Sequence, residues 1–146
     1  RIGDEGAVSI GSNTTWTNLE ELYLWGNEIG DTGAAAIGAN TTWSKLRMLY
    51  LHSNRIGDEG AVSIGSNTTW KNLEKLYLHQ NTIRDKGAVV IGANTTWSKL
   101  TELKLPERIK DKGAVSPGSN TTLKYLLIFT ILFLFVGFFI NRYFKM

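Results

Sequence analysis

The tripeptide Thr-Thr-Trp returns every 27 residues, and this fixed period constrains the fold more than any other feature of the chain. The complete unit occupies residues 19–45, returns in residues 46–72 and returns again in residues 73–99. Residues 1–18 are the back half of the same unit, and residues 100–122 are a shortened copy. A period of about 20–50 residues is typical of stacked arrays, in which one unit cannot bury its own apolar side chains. The sequence therefore predicts an array that is stabilised by contacts between neighbouring units.

The front half of each unit reads Leu-x-x-Leu-x-Leu-x-x-Asn-x-Ile. In the first copy, Leu22 and Leu24 are two residues apart and point to one side of a short strand, while Tyr23 points to the other. The asparagine stands where the chain leaves the strand, and its side-chain amide can satisfy backbone groups there. We expect these asparagines to form a hydrogen-bonded ladder from unit to unit. They are Asn27, Asn54 and Asn81.

The back half of each unit reads Gly-Asp-x-Gly-Ala-x-x-Ile-Gly. The aspartate precedes a short run with helical apolar spacing, which predicts a helix N-cap. The last glycine of the run predicts a C-terminal helix cap. A tryptophan follows between the helix and the next strand, and we expect it to pack in the core or at its edge. The aspartates are Asp31, Asp58 and Asp85; the glycines are Gly38, Gly65 and Gly92; the tryptophans are Trp16, Trp43, Trp70 and Trp97.

This pattern resembles the leucine-rich repeat. Its back half is similar to the ribonuclease-inhibitor-like subfamily, which is also found in the C-terminal arrays of NACHT-type innate immune receptors. The resemblance covers residues 1–122. It implies an α/β solenoid with parallel strands on the concave side and short helices on the convex side. Some arrays of this subfamily activate small GTPases, but no arginine of the strand-to-helix turns is singled out here.

The repeat pattern degrades in its last copy. Residues 105–109 lack one residue and have no ladder asparagine, and Pro117 stands where Ile64 stands in an equivalent unit. A proline at this position interrupts a short helix. Two interpretations stay open, an array that ends here with a poor cap and a copy that is degenerating. The array begins inside a unit, so we expect a further N-terminal part upstream of residue 1.

An apolar run follows the array, and its stretch from Tyr125 to Ile140 carries no charge. From Leu123 to Tyr143 it has about 20 residues, which span about 30 Å as a helix, enough to cross a bilayer core. The run is apolar all round, whereas a helix that caps a solenoid needs a polar outer face. We therefore predict a transmembrane helix at residues 123–141, followed by a short tail at residues 142–146.

Two orientations of such a single-pass membrane protein stay open. Positive charge after the span, at Arg142 and Lys145, favours an array on the extracellular or luminal side. The absence of cysteine favours a cytosolic array on a tail anchor. A third interpretation is a soluble cytosolic regulator, of the scaffold, inhibitor or GTPase-activating type, without a membrane span.

Every unit also carries Asn-Thr-Thr, an N-glycosylation acceptor pattern, in the loop after the helix. We expect these loops to be exposed, so an array outside the cytosol would carry sugars along one edge. The alternative is that Asn-Thr-Thr simply ends the helix, as in cytosolic relatives of this repeat type. The candidate acceptors are Asn13, Asn40, Asn67, Asn94 and Asn120.

The side chains between the leucines are predicted to face the concave surface. Parallel strands lie about 4.8 Å apart, so equivalent side chains form columns. Exposed aromatic residues with polar neighbours are typical of protein-binding hot spots. We therefore predict a protein partner at this surface, the alternative being that the rings merely stack on one another. The residues are Tyr23, Tyr50 and Tyr77 in one column and Trp25, His52 and His79 beside it.

Other functions are disfavoured by the sequence. His52 and His79 are two neighbouring imidazoles, whereas a catalytic zinc site needs three protein ligands, so no metal site is predicted. The chain has no cysteine, no nucleophile motif and no phosphate-binding loop, which argues against an enzyme, a cofactor or a small-molecule substrate. The net charge is +3 and the basic residues are scattered, which argues against nucleic acid. The predicted function is protein–protein recognition by a membrane-anchored array.

Overall fold

The computed structural model describes residues 1–109, in which helices and strands alternate along the chain. The helices are α1 (Gly3–Gly11), α2 (Asp31–Ala39), α3 (Asp58–Gly65) and α4 (Asp85–Ala93), and the strands are β1 (Glu21–Tyr23), β2 (Met48–Tyr50), β3 (Lys75–Tyr77) and β4 (Glu102–Lys104). The strands form one parallel sheet in the order β1-β2-β3-β4, and each helix packs against the next. The predicted strand–helix solenoid is confirmed over these residues.

Several predictions concern residues 110–146 and lie outside the described residues. They are the transmembrane helix at residues 123–141, the tail at residues 142–146, the acceptor Asn120 and the helix interruption at Pro117. Within residues 1–109, no helix has the length and the apolar character that a membrane crossing requires.

The core lies between the sheet and the helices. The strands pair without any register shift, so that Leu22, Leu49, Leu76 and Leu103 lie side by side. Leu49 and Leu76 are fully buried, as is Ile37 of α2 on the opposite side of the core. Burial of one such side chain contributes about 1.5–3 kcal/mol, and here it requires the neighbouring unit to be in place.

The predicted asparagine ladder is confirmed. Asn54 accepts a hydrogen bond from the backbone N–H of Ile29 in the preceding unit at 3.0 Å, and its Nδ2 donates to the carbonyl of Leu24 at 2.9 Å. Asn81 makes the equivalent bond with the N–H of Ile56 at 2.9 Å. Each side chain therefore satisfies backbone groups of the unit before it, which fixes the spacing between units.

The fourth unit lacks a ladder asparagine, and an arginine takes over part of its role. The Nη2 group of Arg108 donates to the carbonyl of Asn81 at 3.1 Å. Ile109, which follows it, is buried. The described part of this shortened copy therefore still stacks on the third unit.

The aspartates do not cap their own helices, so that prediction is wrong. Asp31 is the first residue of α2 and makes no cap hydrogen bond there. Its Oδ1 instead accepts bonds from the backbone N–H groups of Gly57 at 2.7 Å and Gly60 at 2.9 Å, at the start of α3. Asp4 and Asp58 make the same pair of bonds to the next helix. Asp4, Asp31 and Asp58 thus each cap the helix of the following unit.

The glycines near the helix ends do not act as C-terminal caps either. Gly38 lies inside α2, and neither Gly38 nor Gly65 has the positive φ of a left-handed cap. A Cβ atom added to Gly38 would lie 2.6 Å from the backbone carbon of Ser63 in the next helix, and one on Gly65 would lie 2.8 Å from the nitrogen of Ile91. These glycines are needed because neighbouring helices approach each other closely.

Three of the four tryptophans of the Thr-Thr-Trp motif pack in the core. Trp43, Trp70 and Trp97 are buried, and the rings of Trp70 and Trp97 stack with centroids 6.4 Å apart. Trp16 is 43% exposed. It belongs to the half unit at residues 1–18.

Candidate functional site

The candidate site is the outer face of the sheet, where side chains alternate with the buried leucines. In the first unit Leu22 and Leu24 are buried, whereas Tyr23 is 53% and Trp25 is 55% exposed. The alternation continues past the strand end, since the N–H of Leu24 donates to the carbonyl of Tyr50 at 2.9 Å. We call the six side chains at these positions the aromatic surface. They are Tyr23, Trp25, Tyr50, His52, Tyr77 and His79.

The tyrosines form one row across the sheet, as predicted, because the strands pair them in register. Tyr23 and Tyr50 stack in parallel, with centroids 4.7 Å apart. Tyr50 and Tyr77 meet edge to face at 4.6 Å. The row ends at Lys104, whose Nζ lies 4.3 Å from the centroid of the Tyr77 ring in a cation–π contact.

The second row runs beside the first and contains Trp25, His52 and His79. Trp25 stacks on His52 with centroids 5.8 Å apart, and His52 stacks on His79 at 4.6 Å. The rows touch each other, since Tyr77 and His79 meet edge to face at 6.0 Å. The six rings therefore form one continuous surface, as the sequence predicted.

A left-handed turn follows each residue of the second row. Gly26, Ser53 and Gln80 have φ angles of 70°, 56° and 53°. This conformation suits glycine and costs other residues about 1–2 kcal/mol. The turn bends the backbone from the sheet toward the ladder asparagine, which fixes where the second row ends. The sequence did not indicate this turn, because only the first unit has a glycine at this position.

Hydrogen bonds hold the phenol groups at the two ends of the tyrosine row. The hydroxyl of Tyr23 donates to Glu21 at 2.6 Å, which raises the pKa of Tyr23 to about 12. Hydrogen bonding with Glu102 raises the pKa of Tyr77, and contact with Tyr77 and with Lys104 lowers the pKa of Glu102. Both phenols are therefore protonated at neutral pH and fixed in orientation.

The two histidines lie as stacked rings. Burial lowers the pKa of His52, and the nearby His79 and Lys104 lower it further. The Nδ1 atoms of His52 and His79 are buried and have no hydrogen-bond partner among residues 1–109. Within the same residues, no group of three or more side chains is arranged to hold a metal ion.

Three candidate glycosylation acceptors are buried, so the expectation that they are exposed is wrong. Asn40, Asn67 and Asn94 are 5%, 6% and 8% exposed. Their side chains bond to the preceding unit, as the ladder asparagines do. Asn13, in the half unit at residues 1–18, is partly exposed. A recurring asparagine at a fixed repeat position was the sequence signal for this role.

The repeating strand–helix unit with an exposed sheet face defines a class of protein. The family model described as "Leucine Rich repeat" matches residues 17–38, 44–65 and 71–92. The chain therefore contains three consecutive leucine-rich repeats. Repeats of this class support protein–protein interaction, which agrees with the predicted kind of function. The ribonuclease-inhibitor-like subfamily stays a prediction.

Among solved structures, one that is similar is "Leiomodin-1 Actin-Binding Site 2 (ABS2)", with 22% sequence identity and a TM-score of 0.53. The match covers 74% of this chain and 65% of the leiomodin-1 chain, so it spans less than two thirds of that structure. At this identity the similarity concerns the fold alone. No curated protein matches the sequence.

Proposed function

We propose that the array binds a protein partner through the aromatic surface. The observation that supports this is the arrangement of six rings in two touching rows on one sheet face. Tyrosine and tryptophan are enriched among the residues that dominate binding energy at protein interfaces. Tyr23 and Trp25, at the β1 edge of the surface, are about half exposed, so a partner can cover substantial apolar area there.

The surface is preorganised, which favours binding. Tyr50 is held by Tyr23 on one side and Tyr77 on the other, and His52 is held between Trp25 and His79. The strands beneath are fixed by parallel pairing and a continuous core. Association therefore costs little side-chain ordering on this side of the interface.

Contacts within the surface indicate what chemistry a partner offers. Lys104 lies over the Tyr77 ring and pairs with Glu102 at 3.1 Å, so an ammonium group is accommodated between an aromatic face and a carboxylate. The Tyr23 ring and the Glu21 carboxylate form a similar aromatic–carboxylate pair at the β1 edge of the aromatic surface. We propose a partner segment with apolar side chains and a lysine or arginine for this end.

Site-specific photo-crosslinking tests this proposal. A benzophenone amino acid replaces Tyr50 on the aromatic surface or, as the matched control, Val89, an exposed apolar residue of helix α4. The proposal predicts a discrete adduct from position 50 that is lost in a Tyr23→Ala, Tyr77→Ala background. Adducts from position 89 alone, or equally from both positions, would contradict it.

Purified actin is one candidate partner to test in the crosslinking experiment, because the similar solved structure is an actin-binding site. The likeness in fold does not assign actin to this chain. A stimulation assay with a panel of small GTPases covers the regulator alternative, and stimulation that persists without the aromatic surface would argue for it.

We further propose that the apolar run between Leu123 and Tyr143 anchors the array to a membrane as a single span. Its uniform apolarity is what supports this proposal. Carbonate extraction of the full chain tests it, with retention in the membrane pellet as the expected result. Release into the supernatant would favour the soluble regulator.

A further inference from the structure

The three internal Asn-Thr-Thr motifs lie between neighbouring repeats. Both N–H groups of the Asn67 amide donate to the preceding unit, to the carbonyl of Gly38 at 2.8 Å and to that of Asn40 at 2.9 Å. Asn94 donates in the same way to Gly65 and to Asn67, both at 2.8 Å. These bonds form a second ladder, on the side of the array where the helices end.

Asn40 completes this ladder, with bonds from Nδ2 to the carbonyls of Gly11 at 2.8 Å and Asn13 at 2.9 Å. The oxygen of the same amide accepts from the N–H and the hydroxyl of Thr42, at 2.8 Å and 2.9 Å. Asn40 and Thr42, the two residues that define this glycosylation acceptor, are therefore both engaged in hydrogen bonds of the folded array. The motif is explained by this local turn and by its bonds to the preceding unit.

N-glycosylation changes the atom on which this ladder depends. Transfer from a lipid-linked diphosphate donor joins Nδ2 to the anomeric carbon of the first sugar, breaks the bond from that carbon to the diphosphate oxygen, and releases one amide proton. Only one N–H then remains for two carbonyl acceptors. The sugar must also occupy space that the preceding repeat fills, because each of these asparagines is at most 8% exposed.

We infer that an N-glycan on Asn40, Asn67 or Asn94 and the stacked array are mutually exclusive. A glycan on one of these asparagines prevents two neighbouring units from stacking. Conversely, stacked units bury the asparagine amide, so that the transfer enzyme cannot reach it. Each motif is a folding element, and the array folds natively where oligosaccharide transfer does not reach it. Of the two orientations that the sequence left open, this favours an array on the cytosolic side of a membrane.

The test is to express the chain in cultured eukaryotic cells in two forms. One carries an added cleavable signal that directs it into the secretory pathway, where it is anchored or released (the secreted chains), and the other lacks the signal (the cytosolic product). Deglycosylation in heavy-oxygen water followed by mass spectrometry reports which asparagines carried a sugar. Lectin chromatography separates modified from unmodified chains, and limited proteolysis compares both with the cytosolic product. The control variant combines Thr42→Ala, Thr69→Ala and Thr96→Ala, which removes the three acceptor motifs and keeps the asparagine amides.

The inference predicts that secreted chains modified at any of the three positions are cleaved at least tenfold faster than the cytosolic product. The control variant is predicted to stay resistant in both compartments. Secreted chains that carry no sugar at the three positions and resist proteolysis would also agree with the inference, because the array has then folded before the sugar could be transferred. Modified chains as resistant as the cytosolic product would overturn the inference. The inference would also be overturned by a control variant that resists proteolysis as the cytosolic product but, as a secreted chain, is cleaved as fast as the modified natural chains. Should the variant fail to fold in either compartment, the lectin-separated natural chains decide alone.

Discussion

Asp31 of one repeat holds the start of the helix in the next, with its Oδ1 2.7 Å from the backbone nitrogen of Gly57. The bond crosses between units, so it resists separation of the two repeats as well as fraying of a helix. Together with the two asparagine ladders, it ties each repeat to its neighbour at three separate levels. This rigidity keeps the aromatic surface in place.

Replacement of Asp31 by alanine is expected to destabilise the chain by about 1–2 kcal/mol, because two N–H groups of α3 lose their acceptor. The structure also predicts where the effect falls. Amide hydrogen exchange should accelerate at Gly57 and Gly60, in the unit that follows the substitution.

Two control variants accompany this prediction. Asp31→Asn keeps an acceptor oxygen and should cost less than Asp31→Ala, while Thr32→Ala changes an exposed neighbour and should be nearly neutral. Faster exchange confined to the amides of α2 itself would mean that the aspartate caps its own helix.

Trp43→Ala is expected to cost about 3–5 kcal/mol, because the side chain is fully buried and its removal leaves a cavity. Trp16→Ala at the equivalent position is the matched control, since 43% of that side chain is exposed. Its cost should be well under half as large. Urea denaturation followed by circular dichroism measures both, and equal losses would show that burial does not decide the effect.

Gly38→Ala distinguishes packing from helix propensity. Propensity alone predicts a stabilisation of about 0.5–1 kcal/mol, since alanine favours a helix interior. The structure predicts a destabilisation of about 1–3 kcal/mol, because the new Cβ would lie 2.6 Å from the backbone of Ser63. A raised melting temperature for the variant would contradict the close helix approach.

His52 makes stability depend on pH. Its pKa in the folded chain lies below the ordinary value of about 6.5, through burial and through His79 and Lys104. Below about pH 6.5 the unfolded chain therefore binds more protons at this residue than the folded chain. The stability that the neutral form of His52 contributes is fully present above about pH 6.5 and is lost as the pH falls toward the lowered pKa.

Thermal unfolding between pH 5 and pH 7.5 measures this dependence. His52→Phe keeps a ring in the stack and removes the titrating group, so its melting temperature should vary less with pH than that of the natural chain. Identical pH profiles for the two proteins would assign the dependence to other groups.

Much of the fold was predictable from the sequence, because a repeat states the same local rule several times. Leucines two residues apart fixed which side of each strand is buried, and the common register placed Tyr23, Tyr50 and Tyr77 in one row. The ladder role of Asn54 also followed, because an asparagine at a strand end has few other partners. These features depend on local periodicity.

The roles of Asp31, Gly38 and Asn67 were not predictable in the same way. Each is explained by a contact with an adjacent repeat, and local rules for caps and loops assigned each of them to its own unit. The contact of Lys104 with the Tyr77 ring was missed for the same reason. The roles of Asp31 and Gly38 depend on the distance between neighbouring helices, which the repeat length alone does not provide.

The most direct test of the proposed function is the dissociation constant of the partner that crosslinks to position 50. It is measured for the natural chain, for a variant with Tyr50→Ala and His52→Ala, and for Val89→Ala as a control on the helical side. Loss of two central rings is expected to weaken binding about thirtyfold or more, which corresponds to about 2 kcal/mol, with unchanged affinity for the control. An unchanged dissociation constant for a folded Tyr50→Ala, His52→Ala variant would contradict recognition through the aromatic surface.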